Sequence, residues 1–420
     1  MKASSKAPRC PWWRDALLAV ALALPCYLVS GVTSTAIAQT GSDVIRRELS
    51  SPVTKAQEFL KEKRFKESLA ALGETDSVHD KSPYETLIIE QMRAAASVGL
   101  EDAAQAEASY QLVIATGRLS TADRQAVEGN LAILFFRQKN YAKASSWGQQ
   151  YLGDGGTNPQ IHSLVINSLY LSNDFAGTSR ELTMQLRATE AAGAVPTEDQ
   201  YKLLASAQLK LNDEAGYVAT VEKLVERYPT QDYWADLLSR VAGQKSFSER
   251  LLIDVYRLQR AVGALTEPAD IMEFAKQSLE AGFPTEAAQV LQEGFKSGTL
   301  GTVPGGVKQQ QLLAQATKAA AADAKSIDAP PADAKQGSAL LNNGFDLVLN
   351  GRFDAGLGLM ERGVGKGDLR FPDDARLRLG IAYAMAHQTA NAVRALQGVG
   401  GGDGAAELAR LWLIYVKRAP

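Results

Sequence analysis

The sequence predicts an all-α protein built of helix hairpins stacked in series. Three observations predict it. The chain is rich in Ala, Leu, Gln, Glu, Lys and Arg, all good helix formers. Alternating runs of β-branched residues, the mark of a half-buried strand, are nearly absent. One element also recurs: a helix, a short polar turn, an aromatic or small residue, and a second helix. RQKNYAKAS, residues 137–145, shows it plainly. Asn140 marks the turn, Tyr141 is expected to wedge between units, and Ala144 allows close packing.

The first 38 residues read as a secretory signal peptide. Lys2, Lys6, Arg9 and Arg14 make a basic start with one acid, Asp15. An apolar stretch runs from Ala16 to Val32, interrupted by Pro25. It is too short, and too poor in flanking charge, to favour a membrane span. Ala36 and Ala38 are the small residues that a signal peptidase requires, so cleavage is expected after Ala38. The protein is then periplasmic or secreted. Pro25 before Cys26 does not suit a lipid-attachment signal.

Removing this leader changes two totals. The whole chain carries a net charge of −2, and loss of the basic leader takes it to about −5. A mildly acidic surface is poorly suited to nucleic acid. Both cysteines, Cys10 and Cys26, leave with the leader. The mature chain then has no disulfide, thiolate zinc site or cysteine nucleophile. Its stability must come from packing, for which a 420-residue chain has ample material.

Residues 39–297 carry most of the recurring element. Aromatics after a polar turn occur at Phe65, Tyr141, Phe175, Phe247, Phe283 and Phe353. Weaker turns without the aromatic occur at 99–104, 211–216 and 386–392. With Asp102, Glu214 and Ala390 as their equivalents, successive spacings are 37, 39, 34, 39, 33, 36, 70 and 37 residues. The spacing of 70 is two periods.

The pattern resembles the tetratricopeptide repeat (TPR) family, whose unit is two antiparallel helices in about 34 residues. Trp234 and Leu237 fall where that family has a large aromatic and a Leu in the first helix. Tyr201, Leu204 and Ala205 fit the same places, and Pro229 fits the closing proline. Gly344 and Gly351 fit the small residue and the turn glycine around Phe353. Ala56 and Phe59 do so before Phe65, and Ala132 and Ala144 flank Tyr141. His162, Val165 and Thr178 depart from the pattern. The resemblance implies TPR-like hairpins in a right-handed superhelical solenoid, with the first helix of each unit lining a concave face. The physics agrees: a lone hairpin cannot bury its apolar face, whereas stacked hairpins bury one continuous core.

Residues 298–336 read as an irregular connector. They hold a Gly-rich stretch, an Ala-rich helix, and a loop whose two prolines stop it. Residues 337–420 read as further TPR-like repeats with a terminal helix over 407–418. That helix is expected to cap the solenoid with Leu411, Trp412 and Tyr415 inward; if exposed, the same face would be a docking site.

Catalytic and cofactor chemistry find little support. His79, His162 and His387 lie in different units, none with a second ligand at helical spacing. The stretch from Gly301 to Lys308 lacks the strand, and the Lys-Ser/Thr after the last Gly, of a phosphate-binding loop. The acid pairs Glu101-Asp102 and Asp373-Asp374 suit helix starts. No metal, cofactor or nucleic acid is expected, and the protein is read as no enzyme.

Binding remains. By the alignment, Asn130, Arg137, Asn167, Tyr170, Lys202 and Lys210 project from first helices. Amides can hydrogen-bond an extended peptide backbone, and Lys and Arg attract its carboxylates. A solvated face is the bland reading of the same residues. The expected function is a protein–protein interaction scaffold or adaptor of the cell envelope, with a protein or peptide as partner. Two alternatives stay open: an accessory subunit of an envelope transport or polysaccharide-export machine, and an envelope glycan hydrolase on a helical scaffold.

Overall fold

The computed structural model describes residues 43–301, 305–326 and 336–418. The leader expected over 1–38, with its cleavage point, lies outside them. The described residues form twenty α-helices and no strand. Residues 43–213 form one compact unit and residues 214–418 belong to a second. The first holds α1 (Arg47–Lys61), α2 (Phe65–Gly73), α3 (Pro83–Gly99), α4 (Ala103–Ala115), α5 (Thr121–Arg137), α6 (Tyr141–Gly153), α7 (Pro159–Leu171), α8 (Phe175–Ala191) and α9 (Glu198–Lys210). The second holds α10 (Glu214–Arg227), α11 (Gln231–Ala242), α12 (Leu252–Ala261), α13 (Pro268–Glu280), α14 (Pro284–Lys296), α15 (Gly306–Ser326), α16 (Gly337–Leu349), α17 (Phe353–Gly365), α18 (Pro372–Met385), α19 (Thr389–Gln397) and α20 (Ala405–Arg418).

Eight hairpin turns share one backbone device. A residue in the left-handed region follows the first helix: Lys63, Glu101, Lys139, Asn173, Asn212, Gly282, Gly351 and His387. The next residue donates its N–H five residues back, as Asn140 does to Phe135 and Asp174 to Leu169. This is the Schellman closure, and it satisfies a carbonyl that the helix end leaves open. The new helix then starts at once, capped by Asp102, Asn140 or Asp174 side chains in the first unit. A glycine is free of Cβ strain in that conformation; a lysine is not. Lys139, at φ 60°, is such a lysine. Replacing it with glycine should therefore stabilise the first unit by up to about 1 kcal/mol, read as a raised denaturant midpoint.

The repeat spacing located these turns well. Phe65, Tyr141, Phe175, Glu214 and Phe353 each open a second helix. Phe247 differs. It lies in a loop five residues before α12. A Cβ at Gly404 would collide with its ring, and Ser248 N–H donates to the Asp403 carbonyl at 2.9 Å. The ring is thus committed to the loop before α20 and not to a hairpin turn.

The aromatics divide into two kinds. Phe65 lies against Gly99 of the next hairpin, and Phe283 packs edge-on to Phe345 at 5.3 Å. These two wedge between units as expected. Tyr141 instead meets Phe136 at 5.5 Å, and Phe175 meets Tyr170 at 5.4 Å, each inside its own hairpin. An aromatic five residues earlier captures the ring across the turn. Ala56, Ala132, Ala144 and Ala205 are fully buried, as close helix packing requires. One apolar cluster runs from Ala94 of α3 through Tyr110, Leu131, Phe135 and Trp147 to Leu164 of α7, joining three hairpins in a continuous core.

The second unit goes beyond neighbour-to-neighbour stacking. Arg250 is bonded to Asp374 at 2.7 and 3.1 Å and to Asp403. Arg378 of α18 reaches Asp254 of α12 at 3.2 Å. Helix α20 packs on α18 and α19 and also on α10 and α12. Its Arg410 meets Glu222 at 2.7 Å, and its Arg418 donates to the Val225 carbonyl at 3.2 Å. Leu411 and Trp412 point inward as expected, and Tyr415 is half-buried. The helix therefore closes the unit onto its own start, which is more than capping the last hairpin. Within the second unit, helices that precede α15 are thus tied to helices that follow it.

Candidate functional site

The shared turn gives a common ruler for the first helices. Asn130 and Arg137 of α5 stand nine and two residues before Lys139. Asn167 and Tyr170 of α7 stand six and three before Asn173. Lys202 and Lys210 of α9 stand ten and two before Asn212. At about 100° per residue these offsets fall within one stripe about 120° wide. The six sequence-selected residues therefore occupy equivalent sides of three successive first helices.

Their surroundings differ. Asn130 is half-buried, and Arg137 and Lys210 are exposed at the helix ends. Lys202 sits 3.1 Å from Glu198 and 3.7 Å from Asp199, so its charge is already balanced. The Tyr170 hydroxyl shares a 2.7 Å hydrogen bond with Ser206 of α9, and its ring rests on Phe175. Tyr170 thus acts as a brace between α7 and α9. Asn167 stands apart. It is 6% exposed, and its Nδ2 has no hydrogen-bond partner. A buried donor left unpaired costs about 1–3 kcal/mol.

Sequence reasoning missed Ser163 and Ser206, which share the stripe. Ser206 occupies the same register in α9 that Asn167 occupies in α7, six residues before the left-handed residue. Counting back from the turn, and not from the helix start, would have found it.

Two clefts lie in the second unit. One of about 530 Å³ is bounded by Thr230, Gln231, Trp234, Val262, Tyr415 and Arg418. Trp234 itself is 5% exposed, in keeping with its expected structural place. Another of about 390 Å³ lies beside Arg352, Phe353, Ala386 and Gln388. Of the histidines, His162 is 3.8 Å from Glu181 and His387 is a turn residue at φ 58°. Among the described residues, no three metal-ligating side chains of His, Cys, Asp or Glu gather. No helix there is long and apolar enough to cross a membrane.

No protein-family model matches the chain, and no curated protein matches it. Solved helical structures align with most of it. The Naa15/Naa10 complex bound to HypK-THB aligns at 13% identity over 86% of this chain and 65% of that chain, with a TM-score of 0.28. This chain thus spans less than two thirds of that protein's length. The TPR domain of P58(IPK) aligns at 11% identity over 88% and 97%, TM-score 0.22. The Cut9 and Hcn1 hetero-tetramer of APC/C aligns at 11% identity over 89% and 83%, TM-score 0.18. At these TM-scores the alignments add nothing to the hairpins seen directly, and the TPR-like description rests on those hairpins.

Proposed function

We propose that the protein is a non-enzymatic scaffold that holds a protein or peptide segment along the stripe on α5, α7 and α9. The observation that carries this reading is the unpaired Nδ2 of buried Asn167 within that stripe. An extended peptide supplies backbone carbonyls at the spacing of its residues, and one of them would satisfy that donor. Arg137 and Lys210, at the same register on their helices, would draw acidic side chains of the partner. We further propose that this happens outside the cytoplasm, in the periplasm or cell envelope. The basic start, apolar stretch and Ala36/Ala38 pair support that location.

Docking through the apolar face of α20 is the weaker reading, because Leu411 and Trp412 are spent in the core of the second unit. A photocrosslinker placed at Asn130 should capture one reproducible partner in the native envelope. Asn167→Ala combined with Lys202→Ala should abolish that capture. The same pair should cost the fold little, since the Asn167 amide nitrogen donates to nothing in the free protein. Undiminished capture by the double variant would refute the stripe as the binding face.

A further inference from the structure

The joint between α5 and the α6–α7 turn holds a buried acid that the scaffold reading does not use. Glu128 is 3% exposed, and its Oε2 has no hydrogen-bond donor. Across the joint stands Asp154, the first residue after α6. The turn is pinned to α5 by Gln125, whose Nε2 donates to the Asp154 carbonyl at 2.6 Å. Arg124 reaches the Asp154 carboxylate only loosely, at 3.6 Å. Two carboxyl groups and one guanidinium thus meet where one hairpin joins the next. Asp154 and Arg124 are the charged groups that act on Glu128. On the neighbouring helices, Lys143 of α6 is paired with Glu107, and His162 of α7 stands beside Glu181.

We propose that Glu128 is a proton-operated latch. Protonated, its carboxyl donates to the Asp154 carboxylate and clamps α5 to the α6–α7 turn. Ionised, it leaves its own buried carboxylate facing that of partly exposed Asp154, and the turn is released. The step moves one proton between Glu128 and solvent and needs no other reactant.

The direction of the effect follows from linkage. Burial first, and Asp154 second, push the Glu128 carboxyl from 4.5 up to about 7, against the opposing pull of Arg124. A raised acid favours the folded joint at low pH. The clamp is complete below pH 4.5 and is lost as pH rises through about 7. Within that window the opening constant of the turn rises by up to about tenfold per pH unit. Helices α5 and α7 carry Asn130 and Asn167, so the latch would set their spacing. That consequence for partner binding rests on the scaffold reading; the latch itself does not.

Hydrogen exchange of the full chain tests the latch without any partner. The amides of Asp154, Gly155 and Gly156, which donate to Gln150, Leu152 and Tyr151, report the turn. Corrected for intrinsic pH dependence, the opening constant that they report should rise from about pH 4.5 and level off above pH 7, with its half-maximal midpoint near pH 7. Glu128→Gln keeps a donor toward Asp154 and should hold protection high and independent of pH. Asp154→Asn removes the facing charge and should move the midpoint down by about one pH unit or more. Flat protection in the native chain would overturn the proposal. So would a Glu128→Gln chain that still titrates, or an Asp154→Asn chain with an unmoved midpoint. A latch that titrates alongside partner capture that ignores pH would separate the two readings and remove only the coupling between them.

Discussion

A Gly344→Leu chain should lose the cooperative fold of its second unit while the first unit stays folded. Helices α16 and α17 touch backbone to backbone at two levels, seven residues apart on each helix. A Cβ on Gly344 would lie 2.6 Å from the Gly356 carbonyl oxygen and 2.9 Å from the Met360 amide nitrogen. A Cβ on Gly356 would lie 2.5 Å from the Gly344 oxygen, and one on Gly363 would lie 2.7 Å from the Gly337 oxygen. Backbone atoms cannot turn aside as a flexible side chain can. The helices must part, and the burial of Leu340, Phe345, Val348, Leu357 and Met360 weakens with them. Overpacking of a yielding core costs about 1–3 kcal/mol. A rigid double contact belongs above that range, at about 4–5 kcal/mol for leucine. Gly344→Ala should cost about 2–3 kcal/mol on the same reasoning. The control is Gly358, on α17, where a Cβ meets nothing within 4 Å. Gly358→Ala should stabilise by about 0.5–1 kcal/mol, because glycine in a helix interior carries an entropic cost. Denaturation followed by circular dichroism reads all three. A tolerated Gly344→Leu would show that the close crossing is not what holds α16 to α17.

Arg257→Ala should destabilise the second unit by about 3–5 kcal/mol. Its guanidinium is 5% exposed and grips Glu286 with two bonds of 2.8 Å. It also donates to Asp254 at 2.6 Å, and it lies over the Phe345 ring at 4.4 Å from the centroid. Glu286 receives a further bond from Ser278 at 3.1 Å, and Asp254 one from Arg378. The network ties α12, α13, α14 and α18 together. Burial opposes the charge on Arg257, but Glu286 and Asp254 outweigh it, and the guanidinium is held charged. Removing it strands two carboxylates that are 2% and 0% exposed. That stranding is the larger part of the cost, since a buried pair gains little over apolar groups of the same shape. Arg257→Met with Glu286→Met should therefore lose clearly less than the two single changes added together, because Asp254 keeps Arg378. Additive losses in that cycle would mean that the bonds seen here contribute independently.

The helical class, the hairpin order and most turns were legible in the sequence for a local reason. A Schellman turn followed at once by a cap is written in consecutive residues, and it repeats with the chain. The Ala-rich helix of the connector, now α15, was legible in the same way. The binding stripe was legible in part. Its six residues share one register because they are fixed relative to those turns, but Ser206 was hidden until the turn's left-handed residue gave the count. Asn167 could be chosen from sequence; that its amide would be buried and unpaired could not.

What the sequence determined by itself is therefore everything periodic: helices, turns, small residues at close crossings, and aromatics after turns. Tertiary structure decided the rest. It set Tyr141 against Phe136 and Phe175 against Tyr170, and it drew Phe247 out of the repeat. It joined Arg250 to Asp374, and Asp254 to Arg378, each across 124 residues. It set Glu128 against Asp154 as well. A charge placed on one helix carries no record of which distant charge it will meet. Partner choice between remote side chains is settled only when the helices between them have packed, because burial makes an unmatched charge too costly to keep.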